Sequence, residues 1–163
     1  MATTSGTAKV TLPADTQILI TREFDAPRHL VWRAYTEPDL IKRWWAGNKG
    51  RVTSAEVDLR VGGRWRYVMT ANGGFEVAFH GEFREIAAPE RLVNTEAFEG
   101  VPDPDGTAGL VTVTLTEKDG RTYFEALCDY HDKAIRDAVI DSGMESGMQQ
   151  SYDALEQVAV ALS

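Results

Sequence analysis

ITREFDAPRHLVWRAYTEPDLIKRWW, residues Ile20–Trp45, is the stretch that decides the fold. Ile18, Ile20 and Phe24 recur with period two, the spacing of a half-buried strand. Asp25 has the chemistry of a helix N-cap, and Pro27 falls in the first turn, where a missing N–H costs nothing. Leu30, Val31, Ala34 and Tyr35 then share one helical face. Pro38 pushes Glu37 out of the α region, so the first helix ends there and Pro38 opens a second, short one. Leu40, Ile41 and Trp44 point inward from it. Indole N–H groups want partners, so one of Trp44 and Trp45 is expected in the core and the other at the rim of a pocket.

Downstream, the pattern changes to strands. Val52 to Leu59 is followed by Arg60-Val61-Gly62-Gly63, a glycine pair that marks a bend. Arg64 to Ala71 alternates Trp65, Tyr67 and Met69 against Arg64, Arg66 and Thr70. Asn72-Gly73-Gly74 is a hairpin signal. Phe75, Val77, Phe79 and Phe83 alternate against Glu76, His80, Glu82 and Arg84. Pro89 closes that strand and Arg91 to Phe98 forms the next. Leu110 to Thr116 and Thr122 to Tyr130 pair over Lys118-Asp119-Gly120. The expectation is an α+β fold with about six or seven antiparallel strands, since hairpin connections dominate and no βαβ pattern occurs. The chain then turns helical. Ser142 and Glu145 have capping-box spacing, and Met144, Met148, Tyr152, Leu155, Ala159 and Leu162 form one apolar stripe. A helix from about Gly143 to Leu162 must lay that stripe on the sheet, and a sheet curling around it leaves a gap suited to an apolar ligand.

Composition sets bounds. A chain of 163 residues makes one domain, and 43% hydrophobic with 26% charged residues is ordinary for a soluble globular protein. Residues 1–15 read as a small, polar, mobile tail ahead of a single domain at 16–163. A net charge of −8 argues against nucleic acid, and Lys42, Arg43, Lys49 and Arg51 read as a solvated rim. No apolar run approaches a membrane span, and the N-terminus lacks a signal-peptide plan. The single Cys128 excludes an internal disulfide and, with the other features, suggests a cytoplasmic protein.

The chain resembles the START-like helix-grip superfamily, also called the polyketide cyclase and ligand-transport (SRPBCC) superfamily. Within it, the chain is similar to bacterial homologues of the activator of heat-shock protein 90 ATPase. The carrying residues are Arg22-Glu23-Phe24-Asp25-Ala26-Pro27, Val31-Trp32, Trp44-Trp45 and Asp58-Leu59-Arg60-Val61-Gly62-Gly63. Further on they are His80-Gly81-Glu82-Phe83-Arg84-Glu85-Ile86, Pro89-Glu90-Arg91-Leu92-Val93, Gly143-Met144 and Ser151-Tyr152-Asp153-Ala154-Leu155. The resemblance implies a strand, two short helices, a curved antiparallel sheet and a long C-terminal helix across it. It also implies a cavity, with no shared catalytic residues. Members include ligand carriers, resistance proteins, cyclases and chaperone co-factors.

His29, His80 and His131 show no metal-ligand spacing. With Phe79 and Phe83 facing inward, parity sends His80 and Glu82 to the outer face; the opposite parity would make them an acid–base pair inside. There is no phosphate loop, zinc-hydrolase motif, cysteine pair or nucleophile elbow. No catalytic residue, metal or cofactor is therefore assigned. Tyr67, Tyr130, Tyr152, Arg66 and Glu56 are polar groups that a cofactor-free reaction could use; Arg66 and Glu56 also fit a cross-strand pair outside. The candidate ligand-binding set is Trp45, Trp65, Tyr67, Met69, Phe79, Met148 and Tyr152, and the expected partner is an apolar small molecule held by a monomer or homodimer. The competing functions are a protein-interaction module of chaperone co-factor type and a cofactor-free cyclase-like enzyme.

Overall fold

The computed structural model describes residues 6–163. The elements are β1 (Lys9–Thr11), β2 (Gln17–Phe24), α1 (Arg28–Thr36), α2 (Pro38–Ile41) and β3 (Gly50–Val57). Then come β4 (Arg64–Ala71), β5 (Glu76–Ala87), β6 (Arg91–Phe98), β7 (Gly109–Lys118), β8 (Arg121–Asp129), α3 (Lys133–Asp141) and α4 (Met144–Ala161). One antiparallel sheet runs in the order β1-β2-β8-β7-β6-β5-β4-β3. The two short helices carry the chain from β2, next to the edge strand β1, to β3 at the opposite edge. This is the helix-grip architecture.

The sheet has eight strands rather than six or seven. The additional one, β1, lies inside the segment expected as a tail. Val10 pairs with Ile20 on β2. The Gln149 side chain clasps Ala8, accepting from its N–H at 3.1 Å and donating to its carbonyl at 2.6 Å. The small polar composition around a three-residue strand hid it. Residues 1–5 of that expected tail lie outside the described residues.

Three local expectations fail for identifiable reasons. Asp25 does not cap α1: its own N–H donates to Glu156 at 2.8 Å, and the N-cap residue is Pro27. A carboxylate from the sheet takes over, since Arg28 N–H donates to Glu117 at 2.7 Å. No Ser142 capping box forms, because Gly143 in the left-handed region (φ 81°) starts α4 and Ser142 Oγ donates back to the Val139 carbonyl. Finally, α3 precedes α4. Its signal is Asp132, which accepts from Ile135 N–H at 2.8 Å as an N-cap.

The core lies between the inner sheet face and α4 with α1. Ile18, Ile20 and Phe24 sit beside Phe124, Ala126 and Cys128, and these beside Val111, Val113 and Leu115. Leu155, Val158 and Ala159 of α4 and Leu30, Val31 and Ala34 of α1 close over them. Arg22 shares this face and is 1% exposed. Its guanidinium bonds Asp153 at 2.9 Å and Glu156 at 3.1 Å, which fixes α4 in register over β2. At the β3–β4 bend, Gly62 has φ 83°, and a Cβ on Gly63 would collide with the Asp58 carbonyl oxygen. The glycine pair therefore has two separate causes.

Candidate functional site

Strand register settles which residues look inward. Trp65 pairs with Gly81 and Tyr67 with Phe79, and Phe79 pairs with Phe98. Leu92 pairs with core residue Val113, so Leu92, Asn94, Glu96 and Phe98 share the inner face of β6. His80 points the other way, paired with Arg66 and Ala97.

Trp45 and Trp44 divide as their chemistry requires. Trp44 is 4% exposed and its indole donates to the Ala34 carbonyl at 2.7 Å. Trp45 is partly exposed and meets Tyr67 and Phe79 edge-to-face, each at 5.5 Å. Trp65 adds a 4.6 Å contact with Tyr67 and donates to the Thr95 carbonyl at 3.2 Å. Phe79 touches Phe98 at 5.1 Å. Four of the seven expected ligand-binding residues thus form one aromatic wall. Tyr152 belongs to a second group, edge-on to Phe24 and Phe124 at 6.2 and 5.1 Å. Tyr35 joins the two regions: its ring packs on Trp44 and Phe124, and its hydroxyl lies near enough to those of Tyr67 and Tyr152 for each to oppose the other's ionisation. Met69 stands one inward position beyond Tyr67, opposite Val77. Met148 is packed in the core cluster.

Between these groups stands a carboxyl that the sequence reading did not single out. Glu96 is surrounded by protein, and burial alone pushes its pKa up to about 7. Its charge acts on Tyr35, Tyr67, Tyr130, Tyr152 and Cys128. Burial holds the tyrosine hydroxyls well above their usual range and lifts the Cys128 thiol to about 12, so all five neighbours are neutral. Glu96, Tyr35, Tyr67 and Tyr152 nevertheless keep accessible surface.

Two open grooves lie elsewhere. One of about 450 Å³ runs from Val10 to Ile140 and Met144; another of about 410 Å³ lies by Asp58, Arg60 and Gly62. Neither is lined by any of the seven expected residues. The remaining polar candidates separate by face. Tyr67, Tyr130 and Tyr152 neighbour Glu96, while Arg66 is outside, bonded to Glu99 at 2.8 and 2.9 Å with Glu56 as its register partner. The outer His80 bridges Glu99 and Asp105 at 2.8 and 2.7 Å. Among the described residues no group of three or more potential metal ligands converges, and no helix is long and apolar enough to cross a membrane.

Residues 25–159 match the family described as Activator of Hsp90 ATPase homolog 1-like protein, and the chain belongs to that family. No protein of curated function matches it. Among solved structures, a Rhodobacter sphaeroides protein is 27% identical, with a TM-score of 0.86 over 94% of this chain and 99% of that one. A Mycobacterium smegmatis protein is 28% identical, with a TM-score of 0.80 over 95% of this chain and 96% of that one. An AHSA1-like protein from Aeromonas hydrophila is 28% identical, with a TM-score of 0.63 over 88% of this chain and 93% of that one.

Proposed function

We propose that this family member binds an apolar or aromatic small molecule between the curved sheet and α4, without obligatory turnover. The supporting observation is the wall of Trp45, Trp65, Tyr67 and Phe79 facing an interior where deeply placed residues keep accessible surface. A filled core would leave these rings packed on every side. Unfilled apolar surface is worth covering, at about 25 cal/mol for each Å² removed from water. Aromatic rings offer large area at little entropic cost, and edge-to-face geometry lets a planar guest replace a ring neighbour.

The test is a fluorescence titration with a panel of aromatic polyketides and flavonoids. Trp45 and Trp65 stand at the site, so an occupant should quench or shift tryptophan emission. Affinities near micromolar, about 8 kcal/mol, suit one largely buried drug-sized molecule. Trp45→Ala should weaken binding roughly tenfold or more, because a central aromatic anchor carries a large share of such affinity. Equal affinity in this variant would remove Trp45 from the site. Failure of the entire panel would favour the protein-docking reading that the family description suggests.

A further inference from the structure

Among the described residues, one acid on the inner face has no base to balance it. Glu96 has neither a hydrogen-bond nor an ion-pair partner among the described residues, whereas Arg22, also on the inner face, is paired with Asp153 and Glu156 through its two terminal nitrogens. A carboxyl this deep with no partner is costly, and a sequence of no functional consequence would place Leu or Gln there. The strands on either side make the position more pointed. Gly109 pairs with Glu96 on β7. On β5, His80 pairs with Ala97 and Phe83 with Asn94, so Gly81 stands beside Glu96. An aromatic ring crowds each glycine. The Tyr130 ring lies 2.7 Å from where a Cβ on Gly109 would be; a Cβ on Gly81 would meet the Thr95 carbonyl oxygen at 1.8 Å and the Trp65 indole nitrogen at 2.5 Å. The carboxyl is therefore flanked by rings on both sides, with the wall of Trp45, Tyr67 and Phe79 beyond Trp65.

We propose that the occupant of this interior is an organic cation: an aromatic or apolar skeleton bearing a protonated or quaternary nitrogen, with the nitrogen seated against Glu96 and the flanking rings. This rests on the interior-binding reading above and adds the ligand's charge to it. A carboxylate supplies the counter-charge, and tyrosine and tryptophan faces attract a cation through their quadrupoles. A cation entering this site gains an ion pair in a low-dielectric setting and relieves an orphaned acid at the same time. An anionic or purely hydrocarbon guest gains neither. The protein's net charge of −8 also draws cations toward its surface.

The experiment compares 2-naphthylmethyl-trimethylammonium with its uncharged carbon isostere, 2-neopentylnaphthalene, on the full chain and on Glu96→Gln. The quaternary nitrogen does not titrate, so any pH dependence belongs to the protein. The groups facing Glu96 are Tyr35 from α1, Tyr67 from β4, Cys128 from β8, Tyr130 after it and Tyr152 from α4, and all stay neutral from pH 6 to 8. Glu96, with its pKa near 7, goes from mostly protonated to mostly ionised in that range. The wild type should prefer the ammonium at least tenfold at pH 8, and its ammonium affinity should rise about tenfold from pH 6 to pH 8. Glu96→Gln should lose both effects and keep its affinity for the hydrocarbon. Equal binding of the two probes by the wild type, a pH-independent preference, or a preference that survives in Glu96→Gln overturns the proposal and leaves the interior site standing. Binding of neither probe sinks the interior site and this proposal together.

Discussion

A carboxyl set among aromatic rings sits comfortably only while it keeps its proton. Glu96 has a folded pKa near 7, against about 4.5 when free. The sign follows from which state holds the proton. Between those values the native chain binds more protons than the unfolded one, so stability falls as pH rises through the window and levels off above it. At about 1.4 kcal/mol for each pH unit, the penalty approaches roughly 3 kcal/mol. Glu96→Gln should therefore be more stable than wild type by about 1–3 kcal/mol at pH 8, with the difference vanishing near pH 4. Urea unfolding at both pH values measures it; a difference that does not change with pH would mean the carboxyl is solvated. The sequence did carry a signal for this residue. Once Leu92 is assigned inward, period two brings Asn94, Glu96 and Phe98 with it. The signal was easy to pass over because Glu96 and Glu99 stand close together and acidic residues usually face solvent. Arg22 was hidden in the same way, since a buried arginine needs two carboxylates from a helix more than 130 residues later.

At the scale of elements, α4 was legible because its stripe repeats over five turns, and α3 was not because nine residues carry too few repeats to stand out. Helix ends were the weakest part of the reading. The groups that satisfy them, Glu117 for α1 and Glu156 for Asp25 N–H, come from distant strands and helices, and local spacing cannot report them. Leu155 sits on the stripe with no exposed surface. Leu155→Ala should cost about 2–5 kcal/mol in thermal or chemical unfolding. A loss under about 0.5 kcal/mol would be surface behaviour and would detach α4 from the sheet. The connection between β6 and β7 offers a second test. His80 touches a carboxylate with each ring nitrogen, a pattern that only the doubly protonated ring satisfies with two donors. Those contacts hold its pKa above the ordinary 6.5, with Asp105 the main cause. The stabilisation is complete below pH 6.5 and is lost as pH rises through the elevated value. Asp105, the more exposed partner, should release first. Amide exchange in residues 99–108 should then accelerate beyond its intrinsic pH dependence, and His80→Gln should remove the extra step. Identical profiles for the two proteins would show that the clasp does not hold the loop.

For the whole molecule, topology was readable because the hairpins announce themselves in Gly, Asn and Asp, or in Pro89 between β5 and β6, and sequential antiparallel strands leave few alternatives. The pairing of β2 with β8 was not local; it follows from where α1 and α2 carry the chain. The aromatic wall was legible as inward alternation on β4 and β5. What the sequence could not show is that Tyr152 belongs to a different group of rings from Trp45, because that depends on how α4 crosses the strands. Nor could it show that Glu96 stands on the inner face with no basic partner among the described residues. The outer surface carries separate apolar side chains such as Phe75, Leu110 and Tyr123, at 62, 41 and 40% exposure, and these are what a protein-docking role would use. Intermolecular nuclear Overhauser contacts from 2-neopentylnaphthalene to the isotope-labelled protein discriminate between inside and outside in one experiment. The expected result is contacts to the rings of Trp45, Tyr67 and Phe79. Contacts confined to Phe75, Leu110 or Tyr123, or none at all, would contradict an interior binding site.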